Sequence, residues 1–124
     1  MAAHTGWKLL FYQTEDGTSP VREFLRTLDK TTRVRFGWSL EQLRLRNVHA
    51  RPPLVKHIEG KIWELREESS TNIFRIFYCL YEGQRILLLH GFAKKTQKTP
   101  QREIVIAAQR LADFRKRKGG EFYE

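Results

Sequence analysis

The sequence predicts an α+β domain in which helices pack on a mainly antiparallel sheet, in the order β-α-α-β-β-β-α. Three observations support this prediction. Apolar and aromatic runs of strand length, separated by short turns, follow one another between residues 61 and 93. Apolar residues at helical spacing flank these runs on both sides. A hydroxyl residue followed by proline stands at the start of two of the helical stretches. The hydroxyl residue is typical of a helix cap, and the proline is typical of the first helical position.

The first 28 residues are predicted to form a strand and a helix. The run WKLLFYQ, residues 7–13, is short and apolar, and the turn-forming residues EDGTS close it. Ser19-Pro20 then places a capping residue before a proline, whose missing N–H costs nothing at the first helical position. Four apolar residues follow at the spacing of one helical face: Val21, Phe24, Leu25 and Leu28.

A second helix is predicted to follow at once and to complete an N-terminal helical hairpin. Asp29 is suited to end the first helix and to cap the second. Val34, Trp38 and Leu43 supply its apolar residues, and arginines surround them. Gly37 is unfavourable for this helix.

Residues 46–60 are predicted to be a loop, and three strands follow it. Pro52-Pro53 cannot continue a helix, and Gly60 marks a turn. The strand-like runs are KIWELREE (61–68), NIFRIFYCLYE (72–82) and RILLLHGFA (85–93). The segments between them are short enough to be hairpin turns, which predicts an antiparallel meander.

The C-terminal part is predicted to be a helix with a basic tail. Thr99-Pro100 repeats the cap-and-proline device. An apolar stripe of Ile104, Ala107, Ala108 and Leu111 follows, which would pack on the sheet. The tail, residues 115–124, begins with RKRK. At 124 residues without an internal linker, the chain is predicted to be a single domain over residues 1–124.

Positive charge is concentrated in the last third of the chain. The net charge is +9, and residues 94–118 hold nine basic residues against two acidic ones. Such an excess favours a polyanionic partner: nucleic acid, an acidic protein or an anionic membrane surface. A solvated helix face and tail would give the same pattern, but an imbalance this local favours a surface that meets a polyanion.

The composition favours a cytoplasmic protein. The single Cys79 excludes an internal disulfide framework and fits a reducing compartment. The N-terminal segment has too short an apolar run for a signal peptide, and no apolar run reaches membrane-spanning length.

Charged residues lie in mid-strand positions on one face of the predicted sheet. Alternation places Glu64 and Arg66 opposite Trp63 and Leu65, and Arg75 on the charged side as well. These residues could form an ion-pair lattice on a solvent-facing sheet. The third strand, however, ends in Lys94-Lys95, so neighbouring strands would bring two arginines and two lysines to one surface. This arrangement suits a phosphodiester.

Other chemistries find less support in the sequence. The four histidines lack metal-ligand spacing, and neither a glycine-rich phosphate loop nor a G-x-S-x-G elbow is present. We therefore expect no metal and no small-molecule cofactor. His90, late in an apolar strand, is interpreted as a structural histidine, and His57 as the better acid–base candidate. Cys79 and the tryptophans Trp7, Trp38 and Trp63 are interpreted as core residues.

Several of these motifs together resemble a known family. WELR, then R-x-F-Y, then LLHGFAKKTQKTP and a short helix are similar to the phage-derived, HigB-like branch of the RelE/ParE toxin superfamily. The resemblance covers nearly the whole chain, and HGFAKKTQKTP is its most specific part. It implies a RelE-like α+β fold and the toxin of a type II toxin–antitoxin pair. It further implies an mRNA interferase, a metal-independent endoribonuclease that cuts mRNA on the ribosome, and a neighbouring antitoxin with a helix-turn-helix domain.

The resemblance also implies site residues. Arg66 in WELR, Arg75 in R-x-F-Y and the Lys94–Lys95 pair match the motif positions. The arginines would bind the scissile phosphate, and the lysines would hold the phosphate or assist proton transfer. Basic residues around them would bind ribosomal RNA without sequence preference: Lys56, Lys61, Lys98, Arg102, Arg115, Lys116, Arg117 and Lys118.

The chain departs from its relatives at the acid–base position. Many relatives have a tyrosine or histidine at the start of the last helix or in the tail, where this chain has Ile104 and Val105, with Tyr123 near its end. Acid–base work would then fall to lysine, arginine, Glu64 or His57. A second hypothesis follows: a non-catalytic nucleic-acid-binding or regulatory module that acts with its antitoxin.

Overall fold

The computed structural model describes residues 6–46, 55–96 and 98–117. These segments contain five strands and three helices. They are β1 (Lys8–Phe11), α1 (Pro20–Arg26), α2 (Lys30–Arg46), β2 (Val55–Glu59), β3 (Ile62–Glu68), β4 (Ile73–Tyr81), β5 (Arg85–Lys94) and α3 (Gln101–Arg117). The predicted α+β class is confirmed, together with the N-terminal helical hairpin and the C-terminal helix.

The strands form one mixed sheet in the order β1-β5-β4-β3-β2. The predicted meander is confirmed, because β3, β4 and β5 pair antiparallel through short turns. β2 extends it antiparallel along β3. β1 adds the one parallel pairing among the described strands, with Lys8 opposite Arg85 and Phe11 opposite Leu88. The N-terminal strand therefore lies beside the last strand of the chain.

Two boundaries differ from the prediction. Residues 55–59 form β2 although they fall in the predicted loop, since Val55 alone of this short run is buried and an edge strand needs apolar residues on one face only. The predicted tail begins too early, because Arg115, Lys116 and Arg117 continue α3. Pro52-Pro53 and residues 118–124 lie outside the described residues.

The helix starts follow the predicted signals, with differences in the caps. α1 begins at Pro20, and Ser19 stands at the N-cap in an extended conformation, but its side chain makes no capping hydrogen bond within the described segments. The carboxylate of Asp29 accepts a hydrogen bond from the backbone N–H of Thr32 at 3.2 Å, so Asp29 caps α2 as predicted. The helix then runs through Gly37 without a break.

The buried face of α2 is not the predicted one. Phe36, Leu40 and Leu43 pack against the sheet, whereas Val34 is 60% exposed and Trp38 is 63% exposed. The prediction that Trp38 is a core residue is therefore wrong. The helix carries apolar residues on two opposite sides, and only contact with the sheet decides which side is buried.

The sheet separates two apolar cores. On one face α1 and α2 cover residues such as Leu65 and Ile76, and Trp7 and Trp63 pack at the edge of this core as partly buried side chains. On the other face α3 covers Phe77, Leu89 and Cys79 through residues such as Ile104 and Leu111. Burial raises the pKa of the Cys79 thiol to about 11, so it is a buried apolar group, as predicted. Among the described helices, none is long and apolar enough to cross a membrane.

Gly91 and Gly37 give a matched test of this packing. A methyl group on Gly91 would come within 2.3 Å of the Phe24 ring of α1, whereas one on Gly37 would meet none of the described atoms within 4 Å. We expect Gly91→Ala to lower the free energy of unfolding by about 1–3 kcal/mol through overpacking. Gly37→Ala should raise it by about 0.5–1 kcal/mol because alanine favours a helix interior. Urea unfolding of both variants checks this, and equal effects would contradict the packing of α1 on β5.

Candidate functional site

A buried carboxylate on β3 organises the polar side chains beneath α3. Glu64 has no solvent exposure, and its two oxygens contact two arginines. Oε2 lies 3.0 Å from Nη2 of Arg66, and Oε1 lies 3.2 Å from Nε of Arg75. The hydroxyl of Thr99, just before α3, donates to Oε1 at 3.3 Å. These four residues are called the Glu64 cluster below. A charged group that is buried away from water requires such partners.

The register of the sheet brings the cluster together. Arg66 on β3 lies directly opposite Arg75 on β4, and Glu64 is two residues away on the same face. Like charges placed opposite each other are unfavourable, so a shared carboxylate is needed between them. The ion-pair lattice that the strand pattern left open therefore exists, but α3 covers this face, so the lattice is largely buried and does not lie on a solvent-facing sheet.

Arg75 is fully buried and connects the sheet to the β5–α3 connection. Its Nη2 donates to the backbone carbonyl of Thr96 at 2.8 Å, and its guanidinium lies 5.7 Å from the centre of the Phe92 ring. Burial lowers the pKa of Arg75, and the Glu64 carboxylate opposes this shift. The carbonyl of Thr96 follows directly after Lys95, so Arg75 fixes the backbone that carries the lysine pair.

Arg66 is the arginine of the cluster that reaches solvent. Its side chain is 15% exposed and also approaches the Glu68 carboxylate at 3.7 Å. Strand alternation places Lys94 on the same sheet face as Phe92 and Arg75, and Lys94 is half-buried while Lys95 is exposed. The structure thus brings Glu64, Arg66, Arg75 and the end of β5 to one end of the sheet.

Other predicted site residues lie elsewhere. His57 is opposite Trp63 on β3, on the face that α1 and α2 cover, and its Nε2 lies 2.8 Å from the carbonyl of Gly60. The sheet therefore separates it from the Glu64 cluster. Lys56 is opposite Glu64 on the α3 side of the sheet and is exposed.

The predicted RNA-binding residues divide between the two ends of α3. Lys98 and Arg102 are exposed near its first turn, beside the Glu64 cluster. Lys61 and Arg115 line a cavity with Tyr81 at the opposite end of the helix. Lys116 is exposed there, whereas Arg117 is held by Asp113 at 2.5 Å and by the carbonyl of Gln13 at 2.7 Å. Lys118 lies outside the described residues.

Sequence reasoning missed two groups that hold the site. The sequence predicts Thr99 to be a helix cap, but its hydroxyl donates a hydrogen bond to Glu64. A threonine just before a helix can serve either purpose, so the sequence does not distinguish them. The second group surrounds His90, which lies in a buried hydrogen-bond network as predicted for a structural histidine. Its Nε2 is 2.5 Å from the Glu103 carboxylate, and its Nδ1 is 3.1 Å from Nη1 of Arg110. Because arginine can only donate, Nδ1 accepts, and Nε2–H donates to Glu103.

The described residues include no group of three or more His, Cys, Asp or Glu side chains placed to hold a metal ion. What the cluster offers is fixed positive charge: one partly exposed guanidinium, oriented by a buried carboxylate, at the end of the sheet where β5 ends in Lys94. Such an arrangement is suited to bind phosphate oxygens.

The fold and the cluster define a class of protein: small, basic α+β proteins that present oriented arginine and lysine side chains at one end of a sheet. Residues 23–112 match the family described as phage-derived protein Gp49-like (DUF891). The chain belongs to this family, which is associated with toxins of toxin–antitoxin systems. None of the curated proteins compared with it matches significantly.

The Glu64 cluster predicts a double-mutant result. Glu64→Ala leaves the Arg75 guanidinium buried without its carboxylate, so we expect the free energy of unfolding to fall by about 3–5 kcal/mol. Adding Arg75→Met should recover part of this loss, because the uncompensated charge is gone. Glu59→Ala, at an exposed glutamate of β2, is the matched control and should change stability by less than about 0.5 kcal/mol. Additive losses in the double variant would contradict a coupled pair.

The His90 network predicts a dependence of stability on pH. Burial and Arg110 lower the pKa of His90 below its ordinary value of 6.5, and Glu103 opposes this. As pH falls through 6.5, the unfolded chain binds the proton before the folded protein does, so the contribution to stability should be present above this pH and fall below it. Urea unfolding between pH 8 and 5.5, with NMR titration of the His90 ring, checks this. A ring that titrates above 6.5 would contradict the network.

Proposed function

We propose that this protein is a HigB-like toxin of a type II toxin–antitoxin pair that cleaves mRNA on the ribosome. The observation that supports this most is the position of Arg66, whose guanidinium is oriented by buried Glu64 and is partly exposed at the end of the sheet where β5 ends in Lys94. Membership of a toxin-associated family agrees with the proposal.

The proposed chemistry uses the substrate's own nucleophile. In RNA the 2′-hydroxyl next to the scissile phosphate can attack it, so the protein has to align the chain, move protons and neutralise developing charge. We assign Arg66 to the phosphate oxygens. We assign Lys95, with Lys94, to the phosphate or to proton transfer, since Lys94 ends β5 on the sheet face of Arg75 and Lys95 follows it as an exposed residue. These steps require no metal ion.

Glu64 and Arg75 are assigned to positioning. Both are fully buried, so neither reaches a bound phosphate in this conformation. Glu64 fixes the orientation of Arg66, and Arg75 fixes the backbone at Thr96 that follows the lysine pair. The resemblance implied that Arg75 binds phosphate directly, and burial favours the indirect role. His57 lies across the sheet, which leaves the lysines and Arg66 as the candidates for proton transfer.

The distribution of the other basic residues supports a large RNA partner. Lys98 and Arg102 lie near one end of α3 and Arg115 and Lys116 near the other, and a helix of 17 residues is about 25 Å long. A polyanion that contacts both ends must span at least this length. Ribosomal RNA meets this requirement, and its binding should weaken steeply with salt.

The antitoxin is proposed to neutralise this surface. A toxin-associated family implies such a partner. We propose that it carries a helix-turn-helix domain that represses the shared operon, and an acidic or amphipathic segment that competes with RNA for the basic surface.

A non-catalytic, nucleic-acid-binding function is the second candidate. The observation that favours it is the self-contained pairing in the Glu64 cluster, in which a carboxylate already neutralises one arginine and contacts the other. The two candidates differ in a measurable way, because a binding module would retain RNA affinity and produce no cleaved mRNA ends.

Arg66→Ala and Lys95→Ala test the proposed site. Each should lower the rate of mRNA cleavage by about 10²–10³, because a charged contact to the transition state is lost. The measurement is 5′-end mapping of mRNA in a purified translation reaction. Arg26→Ala is the matched control, since Arg26 is an exposed arginine of α1 paired with Glu23, and should leave the rate unchanged.

Circular dichroism of each variant separates loss of activity from loss of fold. Full cleavage by folded Arg66→Ala would refute the site. Intact mRNA with wild-type protein, together with salt-sensitive ribosome binding, would favour the non-catalytic function.

A further inference from the structure

The outer side of α2 carries an apolar stripe with the spacing of a coiled-coil seam. Val34, Trp38 and Leu45 are all at least half exposed, and Glu41 stands between the last two. Their separations of four, three and four residues repeat every seven. The stripe lies on the side of the helix opposite Phe36, Leu40 and Leu43, which pack on the sheet. This exposed row is called the α2 stripe below.

The helix is anchored so that the α2 stripe stays outward. The hydroxyl of Ser39 donates to the Glu67 carboxylate on β3. Arg35 donates to the carbonyl of Glu68 at 2.8 Å and pairs with Glu67 at 3.4 Å. Val34, Arg35, Trp38 and Glu67 together line a shallow depression of about 400 Å³. An exposed tryptophan beside such a depression is typical of a binding anchor.

We propose that the α2 stripe binds an acidic, amphipathic α-helix of a partner protein. The three apolar residues of the stripe and Glu41 stand at heptad spacing along about 16 Å of the helix. Helices that pack as a coiled coil present such a row of side chains to each other. α2 has five basic residues against one acidic residue. Lys30, Arg33 and Arg44 flank one edge of the stripe, so acidic residues beside the partner's apolar seam would complement it. Glu41, paired with Arg44 at 2.6 Å, would fix the register by requiring a polar residue opposite it.

The same charges disfavour other occupants. A second copy of this chain would bring two basic helix edges together, which is repulsive. A nucleic acid would meet the Glu41 carboxylate at the centre of the stripe and apolar side chains on both sides of it. Under the proposed function the partner would be the antitoxin, but the α2 stripe and its chemistry do not depend on cleavage.

The location of the stripe has a consequence for regulation. α2 covers one face of the sheet, and the Glu64 cluster lies on the other. A partner helix on the α2 stripe would therefore hold the protein without contact to the cluster, and it would leave the basic end of the sheet open to a second segment.

Fluorescence anisotropy with designed peptides tests the proposal on the full chain. The probe is a labelled 25-residue helical peptide with leucine at its heptad seam and glutamate at the flanking positions. One control peptide replaces leucine by serine, and the other replaces glutamate by lysine. We expect the probe to bind at least tenfold more tightly than either control peptide. Trp38→Ala and Leu45→Glu should each weaken binding of the probe at least tenfold.

Val105→Glu is the matched control variant, because Val105 is an exposed apolar residue on α3, outside the stripe. It should leave probe affinity within twofold of wild type. Because the substituted side chains are exposed, the variants should keep the wild-type melting temperature. Any variant whose melting temperature falls is replaced by Trp38→Gln.

Several results would overturn the proposal. Equal binding of the leucine and serine peptides would show attraction by charge alone. Unchanged probe affinity in Trp38→Ala and Leu45→Glu would place the binding elsewhere. Self-association in sedimentation that Trp38→Ala abolishes would assign the stripe to a second copy. Weaker ribosomal RNA binding by Trp38→Ala, without probe binding to wild type, would assign it to RNA. None of these results depends on whether the protein cleaves mRNA.

Discussion

The buried carboxylate of Glu64 is the constraint on which the arrangement of the site depends. A charge without water has to be paired, and its partners come from three places: Arg66 on the same strand, Arg75 on β4 and Thr99 before α3. Arg75 in turn holds the carbonyl of Thr96. One carboxylate therefore links the side chains of two neighbouring strands to the path of the chain after β5 and to the start of the last helix. Such a buried pair adds little net stability, but breaking it is costly, so it specifies one geometry.

The two faces of the sheet have different chemistry as a result. The α3 side combines an apolar core with buried ion pairs and ends at Lys94, which is half-buried. The α1–α2 side buries mainly apolar residues, together with Ser39 paired to Glu67, and leaves a second apolar row on the outside of α2. A protein of this size can thus carry a basic surface at one end of the sheet and an apolar row on the outside of α2, with the sheet between them.

Much of this could be predicted from local patterns, and the errors have physical causes. Alternation in β3 and β4 is enough to place Glu64, Arg66 and Arg75 on one face, because side-chain direction has a period of two. Alternation alone does not show that α3, which comes later in the chain, covers that face, so it leaves open whether these charges lie in solvent. In α2, periodicity found the helix but not its buried side, since Val34–Trp38 and Phe36–Leu40 have the same spacing. The short run VKHIE was missed because an edge strand with one buried side chain resembles a polar loop.

The parallel pairing of β1 with β5 determines when the protein can assume its shape during synthesis. Among the described strands β1 is the first to be synthesised, yet its neighbour in the sheet, β5, is the last of them. The packing of α1 on the sheet also requires β5, because Phe24 of α1 packs over Gly91 of β5. The contacts that complete the sheet are therefore among the most distant in the chain, and such contacts form slowly. The Glu64 cluster depends on the same late part of the chain, since Thr96 and Thr99 follow β5, so a chain made only as far as β4 lacks the contacts that hold Arg75 and Glu64.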